Sequence, residues 1–237
     1  MSQKTQTLKR KQHNTDFGDG VLERKGIIRF RISGVCGILT PVAAFTFISL
    51  AIYSAPEFSW TENALSDLGV MPGATAALFN YGLIVSGILG FIFATSLFRL
   101  VRFFEILSAD GKPHLLFYRG LGGALLFSVA CLALIAIGVF PENVRYAHTI
   151  ASVAFFVLLI GALGHFTIGF WQVKQKPLAV FTLLLTTVAA APWGLLFLIR
   201  YVSGVAVPEF ISAVAGGVWA AVFGYKMLKI ASQSKVP

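Results

Sequence analysis

The sequence predicts an all-α integral membrane protein, a bundle of six transmembrane helices with both termini on the cytoplasmic side. Three observations carry that prediction. Of the 237 residues 57% are hydrophobic and only 12% charged, about half the charged share of an average soluble domain, and mean hydropathy is +0.79. The apolar residues gather in runs of about 20, the length at which a helix crosses roughly 30 Å of hydrocarbon. The alternating segments of about ten residues that build a membrane barrel are absent. Finally, all of the 19 Lys and Arg residues except Arg145 and Arg200 fall in the two tails and in the loops that share their side. The positive-inside rule makes that side cytoplasmic. The net charge of +9 is therefore a topology signal, and no nucleic-acid partner is expected.

Residues 1–26 are polar and basic and lack the apolar core of a cleavable signal peptide. They are expected to form a disordered cytoplasmic tail, with residues 8–12 able to lie on an anionic membrane surface. The membrane domain is expected over 27–230 and a short cytoplasmic tail over 231–237. The first span, 30–53, contains Pro41, which should kink or unwind it. The second, 75–97, carries Gly82, Ser86 and Gly90, a stripe of small residues through which a helix-packing partner can approach closely. Residues 98–118 read as a solvated connection. Spans three and four, 119–140 and 148–171, are separated by a turn at 141–147. The short basic turn 172–176 makes spans four and five antiparallel neighbours. The fifth span, 177–199, has Pro192 interrupting its hydrogen bonds near the end, and the sixth covers 208–228.

The first outward loop holds the most patterned polar stretch, residues 59–69. Ser59 followed by Glu62 has the spacing of a capping box, and Gly69 suits a left-handed helix stop. Asn63, Ser66 and Asp67 fall on one face, with Thr61, Leu65 and Leu68 on the other. A short capped interfacial helix is expected. Each outward loop also contains Pro-Glu: Pro56-Glu57, Pro141-Glu142 and Pro208-Glu209. Both residue types suit a helix N-terminus.

The side chains able to do chemistry gather on this outward side. Asp67 and His148 are the acid–base candidates. Asn63, Ser66, Asn80, Ser152 and Glu209 are candidate binding groups, and Arg145 can clamp an anion. The alternative is a solvated rim with ordinary ion pairs, such as Asp67 with Arg145. Of the four histidines, His148 and His165 lie on one predicted helix roughly 25 Å apart, so they cannot share a metal. No metal or other cofactor is expected. His165, spaced by four from Gly161 and Gly169, reads as a packing histidine satisfied by one interhelical hydrogen bond. Cys36 and Cys131 fall inside apolar runs and read as inert core thiols. No acidic or basic residue sits in the middle of a span, which argues against an ion-coupled carrier. Walker, dinucleotide-fold and nucleophile-elbow motifs are absent, and the glycines at 34, 37, 120, 122 and 123 read as helix-packing positions.

The string Asn63-Ala64-Leu65-Ser66-Asp67-Leu68-Gly69, with Asn80 in the next helix, resembles the hallmark of a prokaryotic six-helix membrane family, domain of unknown function 998. The pattern Gly138-Val139-Phe140-Pro141-Glu142 with His148 and Ser152 is similar to that family too. The resemblance covers about 30–228 and implies six helices, an outward polar motif and a cell-membrane location, without an established reaction. Ser66-Asp67-Leu68-Gly69 before Pro72 and Phe79 is also distantly similar to the Frag1/DRAM/Sfk1 group, tied to lipid organisation. Three functions stay open: a site that binds or modifies a lipid headgroup or small envelope substrate, with membrane lipids as partners; a non-enzymatic scaffold; and a transporter of a neutral or lipidic substrate.

Overall fold

A computed structural model of the chain describes residues 24–107 and 114–234. The expected tail up to residue 23, the centre of the 98–118 connection and residues 235–237 lie outside the described residues. Six long helices account for most of the rest: α1 Arg24–Tyr53, α2 Ala74–Leu107, α3 His114–Val139, α4 Arg145–Gln172, α5 Lys176–Ile199 and α6 Ala206–Gln233. All six are long and apolar enough to cross a membrane. Each packs on its sequence neighbours, and α6 closes back onto α1, so the helices form a ring. One end of the ring carries the chain termini. The other carries the loops at 54–73, 140–144 and 200–205 and is called the roofed end below.

The helices outrun the predicted spans. The largest difference is at 98–118, where α2 continues to Leu107 and α3 begins at His114. A helix can carry an arginine such as Arg99 beyond the hydrocarbon, because the aliphatic stem covers apolar surface while the charge stays wet. Pro41 and Pro192 sit inside α1 and α5, both of which run on past them. Exposed aromatics mark both ends of the ring: Tyr53, Trp60, Tyr81, Tyr146 and Tyr201 towards the roof, Trp171 and Tyr225 towards the other end. This is the arrangement of interfacial belts, where amphipathic rings sit at headgroup level.

The half of the ring away from the roof is filled by aromatic side chains. Trp219 is fully buried, 4.4 Å from Phe223 and 4.8 Å from Phe166 between ring centroids. Phe93 and Phe127 close on it from α2 and α3, and Phe170 stacks on Phe223. The indole N–H of Trp219 donates to Thr182 Oγ1 at 3.2 Å, which satisfies the one polar atom the ring buries. Trp193 likewise donates to Ser212 Oγ, which in turn donates to the Ala189 carbonyl. These bonds hold α5 to α6.

Close helix approach is bought with glycine. A Cβ on Gly224 would stand 2.6 Å from the Gly34 carbonyl oxygen, and one on Gly34 would stand 2.7 Å from that of Gly224. The small-residue stripe of α2 is buried inside this chain: Gly82 faces Phe47 of α1, while Gly90 faces Cys131 of α3 and Thr40 of α1. Gly122 and Gly123 take His165 and Phe166 of α4 against them. His165 thus packs as expected, but its buried Nδ1 has no hydrogen-bond partner, contrary to the interhelical bond predicted for it. Cys36 and Cys131 are buried free thiols.

Gly224→Leu should therefore overpack a backbone-to-backbone crossing, at a cost of about 1–3 kcal/mol or more. Gly194→Leu adds its side chain where nothing lies within 4 Å and should be neutral. Thermal unfolding in detergent, followed by tryptophan fluorescence, separates the two; equal midpoints for both variants would contradict the closure of α6 on α1 through glycine.

Candidate functional site

After α1 ends, Ser54 Oγ bonds Thr75 Oγ1 at 2.9 Å and ties the end of α1 to the start of α2. The chain then turns back over the ring. Asn63 organises the turn. Its Oδ1 accepts from the Ser59 amide at 2.9 Å, and its Nδ2 donates to Asp67 Oδ2 at 2.7 Å. The same Asp67 oxygen accepts from the Ala64 amide at 3.0 Å. A 3-10 helix, Leu65–Val70, follows.

This corrects the expected two-turn helix in three respects. Ser59 and Glu62 form no capping box; Asp67 supplies the N-terminal acceptor instead. Gly69 is not left-handed, and that conformation belongs to Gly73, with φ 74°. Gly69 is small for another reason: a Cβ there would stand 2.6 Å from Asn80 Oδ1, while Asn80 Nδ2 donates to the Gly69 carbonyl at 2.9 Å. Nor do Asn63, Ser66 and Asp67 share a face. Ser66 is buried with Leu65 and Leu68, against the ring.

The roof is fastened to the start of α6. The Asn63 carbonyl accepts from the Val205 and Ala206 amides at 3.1 and 2.9 Å, and the Thr61 carbonyl from those of Ser203 and Gly204. The Leu65 amide donates to Glu209 Oε2 at 2.7 Å. A helix N-terminus presents amides with no partner inside the helix, and the crossing loop takes up part of that demand. Of the three Pro-Glu pairs only Pro208-Glu209 lies in a first helical turn. Pro56-Glu57 lies in a turn after α1, and Pro141-Glu142 precedes α4.

Beneath the roof lies a cavity of about 100 Å³. Its walls are almost wholly apolar and come from every helix except α5, with Phe79, Leu83, Phe155 and Leu159 among them. Leu65, Ser66 and Glu209 line it at the roofed end, and Ser152 also lines it. Glu209 is only 7% exposed and Ser66 8%. An engineered apolar cavity of about 150 Å³ holds benzene, so this one has room for a body of a few carbon atoms.

On the solvent side of the roof a second group forms. Glu142 shares a side-chain hydrogen bond with Asp67, and its pKa is pushed up to about 7. That bond is the largest cause, since one of the two carboxyls must hold a proton; burial and the Asp67 charge add to it, while the Arg145 guanidinium opposes it. Asp67 already accepts two N–H bonds, so Glu142 carries the proton. Asp67 and Glu142 both lie within electrostatic reach of Glu209. The sequence-predicted partner of Asp67, Arg145, is exposed and acts on Glu142.

His148 stands apart. It is buried, with Nδ1 at 2.9 Å from the Phe140 carbonyl and Nε2 at 3.2 Å from Ser152 Oγ. A carbonyl accepts only, so Nδ1 holds a proton, and in the neutral imidazole Nε2 accepts from the Ser152 hydroxyl. The imidazole thereby pins the 140–144 loop to α4, and no hydrogen bond joins it to Asp67. Among the described residues no three His, Cys, Asp or Glu side chains converge as metal ligands would.

Of the residues predicted from sequence, the structure brings Ser66, Ser152 and Glu209 together at the cavity. Asn63 and Asp67 meet at the roof, Asn80 holds its Gly69 end, and His148 reaches the cavity only through Ser152. Glu142 was not among the candidates. Its sequence signals are its place in the repeated Pro-Glu pair and in the 138–142 pattern that leads to Arg145 and His148.

A protein-family model described as "Protein of unknown function (DUF998)" matches residues 38–226. No curated protein and no solved structure matches the chain.

The Glu142 shift fixes a sign for pH dependence. A carboxyl raised in the folded state holds more protons there than in the unfolded chain, so its contribution is complete below the unfolded value and lost as pH rises through about 7. The unfolding midpoint should fall between pH 5 and pH 8, and Glu142→Gln should flatten that dependence. A midpoint that rises over the same interval, or a slope unchanged in Glu142→Gln, would contradict the shared proton.

Proposed function

The chain belongs to the DUF998 family, and we propose that this multi-pass membrane protein binds an amphiphile of the cell membrane beneath its roof. The carrying observation is the apolar cavity in which the polar side chains not bonded within their own helix, Ser66 and Glu209, lie at the roofed end. An apolar segment of a lipid or small envelope compound occupies the cavity and its polar group meets those side chains. Ligand sites have this composition, mostly apolar walls with a few polar groups that fix orientation. At about 100 Å³ the cavity is smaller than the roughly 300–1,000 Å³ of drug-sized sites, so it receives the end of a chain, not a whole lipid.

In this reading Ser66, Ser152 and Glu209 meet the ligand. Asn63, Asp67, Asn80 and His148 position the roof and the loops beside it, and Arg145 tempers the charge of Glu142. The bias of Lys and Arg towards the opposite end supports cytoplasmic termini and an outward roof. Binding without chemistry is favoured over acid–base catalysis because both nitrogens of His148 are engaged in holding the 140–144 loop and Ser152.

Ala213 lines the cavity, so Ala213→Leu fills part of it. The wild-type protein, extracted in mild detergent, should carry a lipid or envelope compound detectable by mass spectrometry after delipidating washes. Ala213→Leu should carry at least tenfold less, with its unfolding midpoint kept within a few degrees. Equal retention by both proteins, or none by the wild type above the detergent background, rules the cavity out as the site.

A further inference from the structure

The cavity carries polar atoms of one kind, and we propose that its ligand presents a protonated amine to Glu209, on an apolar body of a few carbons. This rests on the reading of the cavity as a binding site and names the ligand class it selects.

The first argument is an inventory of donors. Thr40 and Ser86, two of the hydroxyls lining the cavity, spend their protons on the Cys36 and Gly82 carbonyls of their own helices at 2.8 and 2.7 Å. Ser152 spends its proton on His148 Nε2. Those three oxygens offer lone pairs only. Glu209 Oε2 is committed to the Leu65 amide, and its second oxygen has no hydrogen bond among the described residues. Ser66 Oγ has none either. With Glu209 ionised the lining is rich in acceptors, and among the described residues the Ser66 hydroxyl is the one lining side-chain O–H still free to donate. A ligand that brings donors satisfies it; a phosphate or carboxylate does not.

Charge makes the second argument. A carboxyl among apolar walls keeps its proton unless a counter-charge lies beside it, and a bound cation is what lets it ionise. The roofed end has two cations, Arg145 and Arg200, and both are exposed and absent from the cavity lining. The groups that act on Glu209 are Asp67 and Glu142; with the proton on Glu142, Asp67 is the one that adds negative potential. Among the described residues no side chain supplies a positive charge to Glu209 in the cavity. An alkylammonium does, and it brings three N–H donors to a lining that offers acceptors. A neutral alcohol fits the same space but leaves the potential unanswered, while a fatty acid adds to it.

Hexylamine, 1-hexanol and hexanoate, similar in size and different in head, separate these cases. Hexylamine is protonated at pH 7, as an ordinary lysine is. Each is titrated into the detergent-solubilised full chain, after delipidation, and the concentration giving half-maximal thermal stabilisation is read. The wild type should need at least tenfold less hexylamine than hexanol and should not respond to hexanoate. In Glu209→Gln, which keeps an acceptor for the Leu65 amide, the two should come within twofold of each other. Ala213→Leu should respond to neither. If hexanol matches or exceeds hexylamine in the wild type, the amine inference fails and the cavity reading stands. A tenfold preference surviving in Glu209→Gln also overturns it, since Glu209 is then not the anchor. If neither compound stabilises the wild type, the cavity reading fails as well and takes the inference with it.

Discussion

The roofed end depends on one set of hydrogen bonds: the amides that open α6 and the 3-10 helix are met by the chain that crosses them. Asn63 and Thr61 offer carbonyls to residues 203–206, and Glu209 returns a carboxyl oxygen to Leu65. Near a bilayer there is little water to stand in for a missing partner, and an unmet backbone group costs several kcal/mol. The crossing loop therefore cannot lift without leaving both termini exposed. Gly204 is part of the same constraint, because a Cβ there would run into the backbone of Glu62 and Asn63.

Once the loop is fixed, the rest of the roofed end follows. Leu65 and Leu68 turn into the ring and join Ile48, Phe79, Leu83 and Ile137 in an apolar layer. Asp67 turns outward, where Asn63 and the Ala64 amide meet one of its oxygens and Glu142 bonds to it. The carboxyls of the roof thus divide the labour. Glu209 faces inward between backbone and cavity, and the Asp67–Glu142 pair latches the first loop to the second.

The six spans were legible in the sequence because hydropathy over about 20 residues reports the bilayer directly. The packing glycines of α1, α2 and α3 were legible too, since their spacing is local. The roof was not. Ser59 and Glu62 have the spacing of a capping box, but the acceptor that serves the Leu65 amide is Glu209, 144 positions away, and no local pattern announces it. Glu142 reads from sequence only as a residue suited to a helix N-terminus, for the same reason: its importance comes from standing against Asp67, which only the fold brings about. The extension of α2 past Phe98 was missed because charged residues were read as the end of a helix, when they mark only the end of the hydrocarbon.

The aromatic column around Trp219 also decides how traffic through the molecule can run. Phe93, Phe166 and Phe223 are fully or almost fully buried and gather around the buried Trp219. They form a plug below the cavity. Under the proposed binding role, whatever enters under the roof meets these packed rings and leaves on the side it entered, as from a receptacle and not through a corridor.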